Sequence, residues 1–382
     1  MKLLTGILLL LLASSCSSTE EKKATISDQI KVSLDTVMID PGNEFLYLQD
    51  ELYSSSLSDD KSYLLNFNRK DNSAEKIDLN QLVLDKKIQY EKEGPNGIGD
   101  YPQLSILPNQ NLLVLNYRFH KIFDQNGQLL RDLELGEIAK EYLGGTDYYP
   151  RSLYQDEINP ERFLGVITHW ESNTDFILDF DLKNRTFKKI ELPDWAKNSE
   201  RYVKILYDGN DAGGYGSGAY PLFANGDLLI SSNAFNEVQV YDSEGDSVYL
   251  KKWDTPLLGY KKEYNPPKTV EYTSGGIKDV ERKIGEEISY GSFFWDEKNQ
   301  RYFRFSDKKH YSDELTEYDT YVSTGAEVYL SIFDKEFNLL AEAQIPELTK
   351  SPNVHFAKDG NIWIFENIDD ELAFVIVKIE DI

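Results

Sequence analysis

A short unit recurs along this chain: a polar turn followed by a run of apolar residues. It reads Pro108-Asn-Gln-Asn-Leu-Leu-Val-Leu115, then Ala224-Asn-Gly-Asp-Leu-Leu-Ile-Ser231, then Ala357-Lys-Asp-Gly-Asn-Ile-Trp-Ile-Phe365. Looser copies are Ser62–Phe67, Arg162–Ile167 and Arg301–Phe305. A second half-unit is a strand, a turn and another strand. It appears at Ile122–Leu130, Phe180–Phe187, Val240–Val248 and Ile332–Leu340, and more loosely at Asn66–Asn72. The apolar runs fall near residues 62, 112, 163, 228, 302 and 362, spaced by about 50 to 75 residues. A repeat of this length made of short strands predicts an all-β, six-bladed β-propeller, in which each small sheet buries its faces against its neighbours around an axis. Seven blades remain open, because Leu257–Tyr290 is irregular and has room for another. Two smaller sandwiches are the other architecture. Against them, no Pro/Gly/polar linker divides the chain.

The turns carry their own chemistry. Asn126-Gly127, Asn225-Gly226 and Asp359-Gly360 tolerate the positive φ that closes tight hairpins. The aspartates that follow an aromatic, Asp124, Asp242 and Asp334, sit where a carboxylate bonds the N–H groups of its own turn, which makes them structural. The last unit, from Ile362 onward, is about one strand short. Ile30–Asp40 alternates apolar and polar residues with period 2 and is free to supply it, tying the two ends together.

No disulfide can do that work, since the chain has a single cysteine, Cys16. It ends a leader of one lysine, Lys2, an apolar run Leu3–Leu12, and Ala13-Ser14-Ser15. A run of that length is too short to span a bilayer core, which takes ~20 residues. It predicts a lipoprotein signal peptide over residues 1–15, cleaved before Cys16, whose thiol then carries lipid and tethers the protein to the membrane. Ala13 stands where a Leu is usual, and an ordinary secretory signal is the alternative. Residues 16–29 are polar and without period, a tether, and residues 30–382 form the propeller domain. The formal charge of −25 argues against nucleic acid as a partner and against adhesion to anionic lipid surfaces.

Tyr90-Glu-Lys-Glu-Gly-Pro-Asn-Gly-Ile-Gly99 and Tyr290–Phe305, together with the leader, resemble the Bacteroidetes lipoproteins grouped as domain of unknown function 4221. The resemblance implies a six-bladed, propeller-like fold and a cell-envelope address, outer membrane on its periplasmic or surface face. It transfers no catalytic residue.

Catalytic and cofactor motifs are missing: no Walker loop, no Gly-x-Ser-x-Gly elbow and no His-Glu-x-x-His. The four histidines, His120, His169, His310 and His355, are too scattered for a zinc motif, so no metal or cofactor is expected. Gly94–Gly99 lacks the Lys-Ser/Thr and the helix of a phosphate loop and reads as a connector. Asp208–Gly214 lacks the alternating carboxylates of a calcium loop. Gly213–Tyr220 reads as a flexible Gly/Tyr insertion, a solvated loop by default, with a lid over a pocket as the alternative. Candidate binding residues are the aromatic and cationic groups Tyr148, Tyr149, Arg151, His169, Trp170 and Arg304, expected on long loops at one mouth of the ring and suited to carboxylates or sugars. Arg304 has a second reading as a buried structural pair, because alternation puts Phe303 and Phe305 on the other face. Three functions fit: a binding or scaffold lipoprotein for a protein or glycan, a metal-dependent hydrolase or lactonase-like propeller, and a sensor ectodomain whose signal a partner relays.

Overall fold

A computed structural model describes residues 30–116 and 119–380. Six four-stranded antiparallel sheets follow one another along the chain. Their second strands are Tyr63–Asn68, Leu112–Asn116, Arg162–His169, Asp227–Ser232, Arg301–Leu315 and Asn361–Ile368. These are the six apolar runs of the repeat.

The reason those runs are continuously apolar lies in the packing. Successive side chains of a strand point to opposite faces, and both faces of every blade are covered by a neighbour. Leu65 and Val114 join blades one and two, whereas Leu113 and Phe163 join two and three. Leu164 and Leu228 join three and four; Leu229 and Tyr302 join four and five. Phe303 and Ile362 join five and six. Leu64 and Trp363 then join six back to one, so the apolar seams form a closed ring.

The sixth blade closes as the alternation predicts. Its strands are His355–Lys358, Asn361–Ile368 and Glu371–Glu380, and its outermost strand is Lys31–Met38. Lys31 pairs with Glu380 and Met38 with Ala373, an unbroken antiparallel register. The first strand thus begins at the end of the ring where the innermost strands finish, and runs toward the end where they start.

Turn chemistry follows the sequence. Asn225 and Gly226 have φ of 56° and 82°, and Asp359 and Gly360 of 55° and 81°, the two-residue hairpin with both central residues left-handed. Asn126-Gly127 differs: Gly127 alone is positive, beside a bulge at Ile122/Phe123. The outer hairpins close on carboxylates. Asp124 Oδ1 accepts from the N–H of Asn126 and Gln128 at 2.8 and 2.9 Å, Asp242 from Glu244 and Gly245 at 3.1 and 2.7 Å, and Asp334 from Glu336 and Asn338 at 3.0 and 2.8 Å. In blade one the equivalent is Asp78, bonded to Asn80 and Gln81 at 2.8 Å each. Asn66–Asn72, the looser copy in the sequence, is the preceding hairpin, shifted by one strand.

The seventh sheet is not a blade. It holds Asn210–Gly216, Tyr202–Tyr207 and Thr269–Glu271, the last pair parallel, and none of its residues lines the axis. With the helix Ile277–Gly285 and the overlong hairpin of blade five, paired out to Leu315 and Tyr321, it crowns one end of the ring beside blades four and five. The irregular segment Leu257–Tyr290 runs through this crown and ends in Ser289 and Tyr290, the first residues of a blade-five strand. Within Asp208–Gly214, Asp208 and Gly209 form the hairpin turn, both at positive φ, and residues 210–214 continue into its strand.

Candidate functional site

The innermost strands are Ser55–Leu57, Gln103–Ile106, Tyr148–Gln155, Ala219–Ala224, Ser289–Asp296 and His355–Lys358. Small residues on them, such as Ser55, Ser105 and Ser292, keep the axis open. The end where these strands finish opens into a cavity of about 640 Å³, largely apolar, walled by Leu57, Ile106, Phe223, Phe293 and Phe356 with Asp59, Glu157 and Glu297 nearer the rim.

The end where the strands start holds a different groove, of about 440 Å³, contributed by blades one to three. Tyr53, Tyr101, Tyr149, Arg69 and Arg151 line it over a floor that includes Ser54, Ser55 and Ser105. Tyr53 and Tyr101 are 69% and 70% exposed. Arg69 lies over the Tyr101 ring at 5.1 Å and holds Asp50 with two hydrogen bonds, the one from Nε at 2.5 Å. Arg151 donates from Nη2 to the Tyr149 hydroxyl at 3.0 Å and from Nε to Thr168 Oγ1 at 3.1 Å, with Asp175 at 3.6 Å. Asp175 is itself fixed by Thr168 at 2.5 Å and by the Trp195 indole N–H at 2.8 Å. Both guanidinium groups are thereby oriented by carboxylates, a rigid planar donor arrangement.

Five of the six residues singled out from the sequence lie together at this end of blade three, and two of them, Tyr149 and Arg151, line the groove. Tyr149 stacks against Trp170 with ring centroids 4.1 Å apart, and Tyr148 meets His169 at 4.8 Å. Tyr149 and Arg151 face the groove; Trp170, 48% exposed, backs Tyr149. His169 accepts from the Ser172 N–H at 3.1 Å, and Tyr148 packs on Phe176 in the seam between blades two and three. They sit on or at the ends of strands, not on long loops. Gly213–Tyr220 likewise runs from the crown sheet into the innermost strand of blade four.

Over residues 27–344 the sequence matches a family described as a domain of unknown function, DUF4221. The chain belongs to the DUF4221 family. A crystal structure of a DUF4221 member from Bacteroides vulgatus covers 93% of this chain and 100% of its own, with a TM-score of 0.62 at 15% identity. A putative exported protein from Bacteroides fragilis covers 92% of this chain and 96% of its own, with a TM-score of 0.50 at 9% identity. Both are likenesses of fold. Comparison with curated proteins returned no match.

Elsewhere in this DUF4221 propeller, Arg304 lies away from the groove. It is wholly buried between blades four and five, inside a cage of Trp253, Tyr290, Phe293 and Phe333, with its guanidinium 4.9 Å from the Phe293 ring centre. Nη2 donates to Asn236 Oδ1, while Nε and Nη1 have no partner among the described residues. Burial pushes the group down to about 10. The histidines stay apart: His120 is buried in blade two, His310 pairs with Glu327 at 3.2 Å, and His355 is packed against Phe294. Among the described residues no three His, Cys, Asp or Glu side chains converge on a point that could hold a metal. No described helix is long and apolar enough to cross a membrane. Cys16, the signal peptide and the tether lie outside the described residues.

The residues that sequence reasoning missed are Tyr53, Arg69 and Tyr101. A signal was present. Tyr101-Pro102, Tyr149-Pro150 and Tyr220-Pro221 recur at the start of the innermost strand in blades two, three and four. Proline at a strand entry costs no ladder hydrogen bond, and the preceding tyrosine is left at the mouth.

Proposed function

We propose that this chain is a cell-envelope lipoprotein, anchored through Cys16, whose propeller acts as a binding module for a protein or glycan. The observation that carries the reading is the groove itself: a concave site with exposed tyrosine faces and two carboxylate-oriented arginines, the composition of a recognition surface. The leader and the exported protein of Bacteroides fragilis, similar in fold, support the address. A hydrolase of the metal-dependent kind has no ligand set to draw on among the described residues.

The test is capture from solubilised envelopes with the full-length protein, assaying both polypeptide and carbohydrate. Wild type should enrich a partner that a Tyr53→Ala/Tyr101→Ala double variant does not. Equal recovery by both would remove the groove from the function.

A further inference from the structure

The groove's charge and shape discriminate among ligands. Both its arginines face a carboxylate: Arg69 hydrogen-bonds Asp50, and Arg151 lies 3.6 Å from Asp175. Among the described residues, each groove arginine is thus matched by a carboxylate, on a chain of formal charge −25. A uronate or sulfate chain would find, among the described residues, both groove arginines already facing a carboxylate.

Its aromatic faces point to the opposite chemistry. One face of Tyr101 is covered by Arg69 and the ring stays 70% exposed; Tyr53 is as open. A pyranose has an apolar C–H face that stacks on an aromatic ring, and a rim of hydroxyls that needs fixed donors and acceptors. Both are supplied here by the tyrosines, the arginine–carboxylate pairs and the serine floor. The volume, about 440 Å³, suits a few sugar rings, whereas a stable protein interface wants ~800 Å² on each partner.

Resting on the binding-module reading, we infer that the tyrosine arc of blades one to three, Tyr53, Tyr101 and Tyr149, is a site for a neutral oligosaccharide. Affinity electrophoresis of the full-length protein tests this, with soluble neutral polymers (β-glucan, xyloglucan, mannan) in one set of gels and polygalacturonate or dextran sulfate in another. At least one neutral polymer should retard the wild type. Tyr101→Ala should weaken that retardation about tenfold, the loss of one stacked ring, and Tyr101→Phe should keep it, because the ring face does the binding. Both variants should melt as wild type does, the side chain being outside the core. Retardation by acidic polymers only, by none, or undiminished in Tyr101→Ala would each overturn the inference. If envelope capture yields a polypeptide that depends on Tyr53 and Tyr101 while no neutral polymer binds, the binding-module reading stands and the glycan assignment falls.

Discussion

A single carboxylate oxygen closes most of the outer hairpins, and this gives the protein a defined response to acid. Backbone N–H groups hold Asp78, Asp124 and Asp181 below the ordinary carboxylate range. A depressed acid contributes stability above its unfolded pKa of ~3.9, lost as pH falls through the lowered folded value. His120 acts earlier. Burial pushes it down to about 4, and its Nε2 has no partner among the described residues. The unfolded chain takes up that proton near pH ~6.5, so stability declines between pH 6.5 and 4 by roughly 3 kcal/mol. Urea unfolding across this range should show the loss in wild type and a flatter curve in His120→Leu; parallel curves would assign the titration elsewhere. Arg304 makes a different prediction. Arg304→Ala should cost about 3 kcal/mol through the cavity left in its aromatic cage. Arg304→Met, which fills the space without two unpartnered donors, should be close to neutral or stabilising. Chemical denaturation of the pair decides between a packing role and an electrostatic one.

Among the elements, legibility in the sequence tracked burial. The second strand of each blade is covered on both faces, so Leu112–Leu115 or Leu228–Ile230 read as unbroken apolar runs. The innermost strands have one edge on the axis, and Ser55–Leu57 or Gln103–Ile106 are too short and mixed to show a period. The crown was illegible for another reason: it pairs Lys204 with Thr269, a parallel contact between distant segments with no repeat to announce it. Of the groove, Tyr149 and Arg151 were found because aromatic and cationic residues adjoin there. Tyr101 was passed over because its proline reads as the end of a connector. Ring closure was legible as a missing strand and an unclaimed one. Removing residues 31–38 should expose the edge of Glu371–Glu380 and lower Tm by roughly 10 °C or more, with aggregation on heating. An unchanged melting curve would mean that the ring holds without its outermost strand.

For the whole molecule, anchoring and folding are separable. Cys16→Ala should shift the protein from the membrane fraction to the soluble one while its Tm stays put, as fractionation and calorimetry would show. A fall in Tm would make the leader-proximal segment part of the fold.

The direction of the first strand then sets how the molecule stands. Its start, Lys31, lies beside Glu380, on the face remote from the tyrosine arc. Residues 16–29 reach at most about 50 Å even when fully drawn out. On the lipoprotein reading, a lipid on Cys16 would thus join the propeller from the side of its wide opening, so that the attachment leaves the tyrosine end of the ring uncrossed.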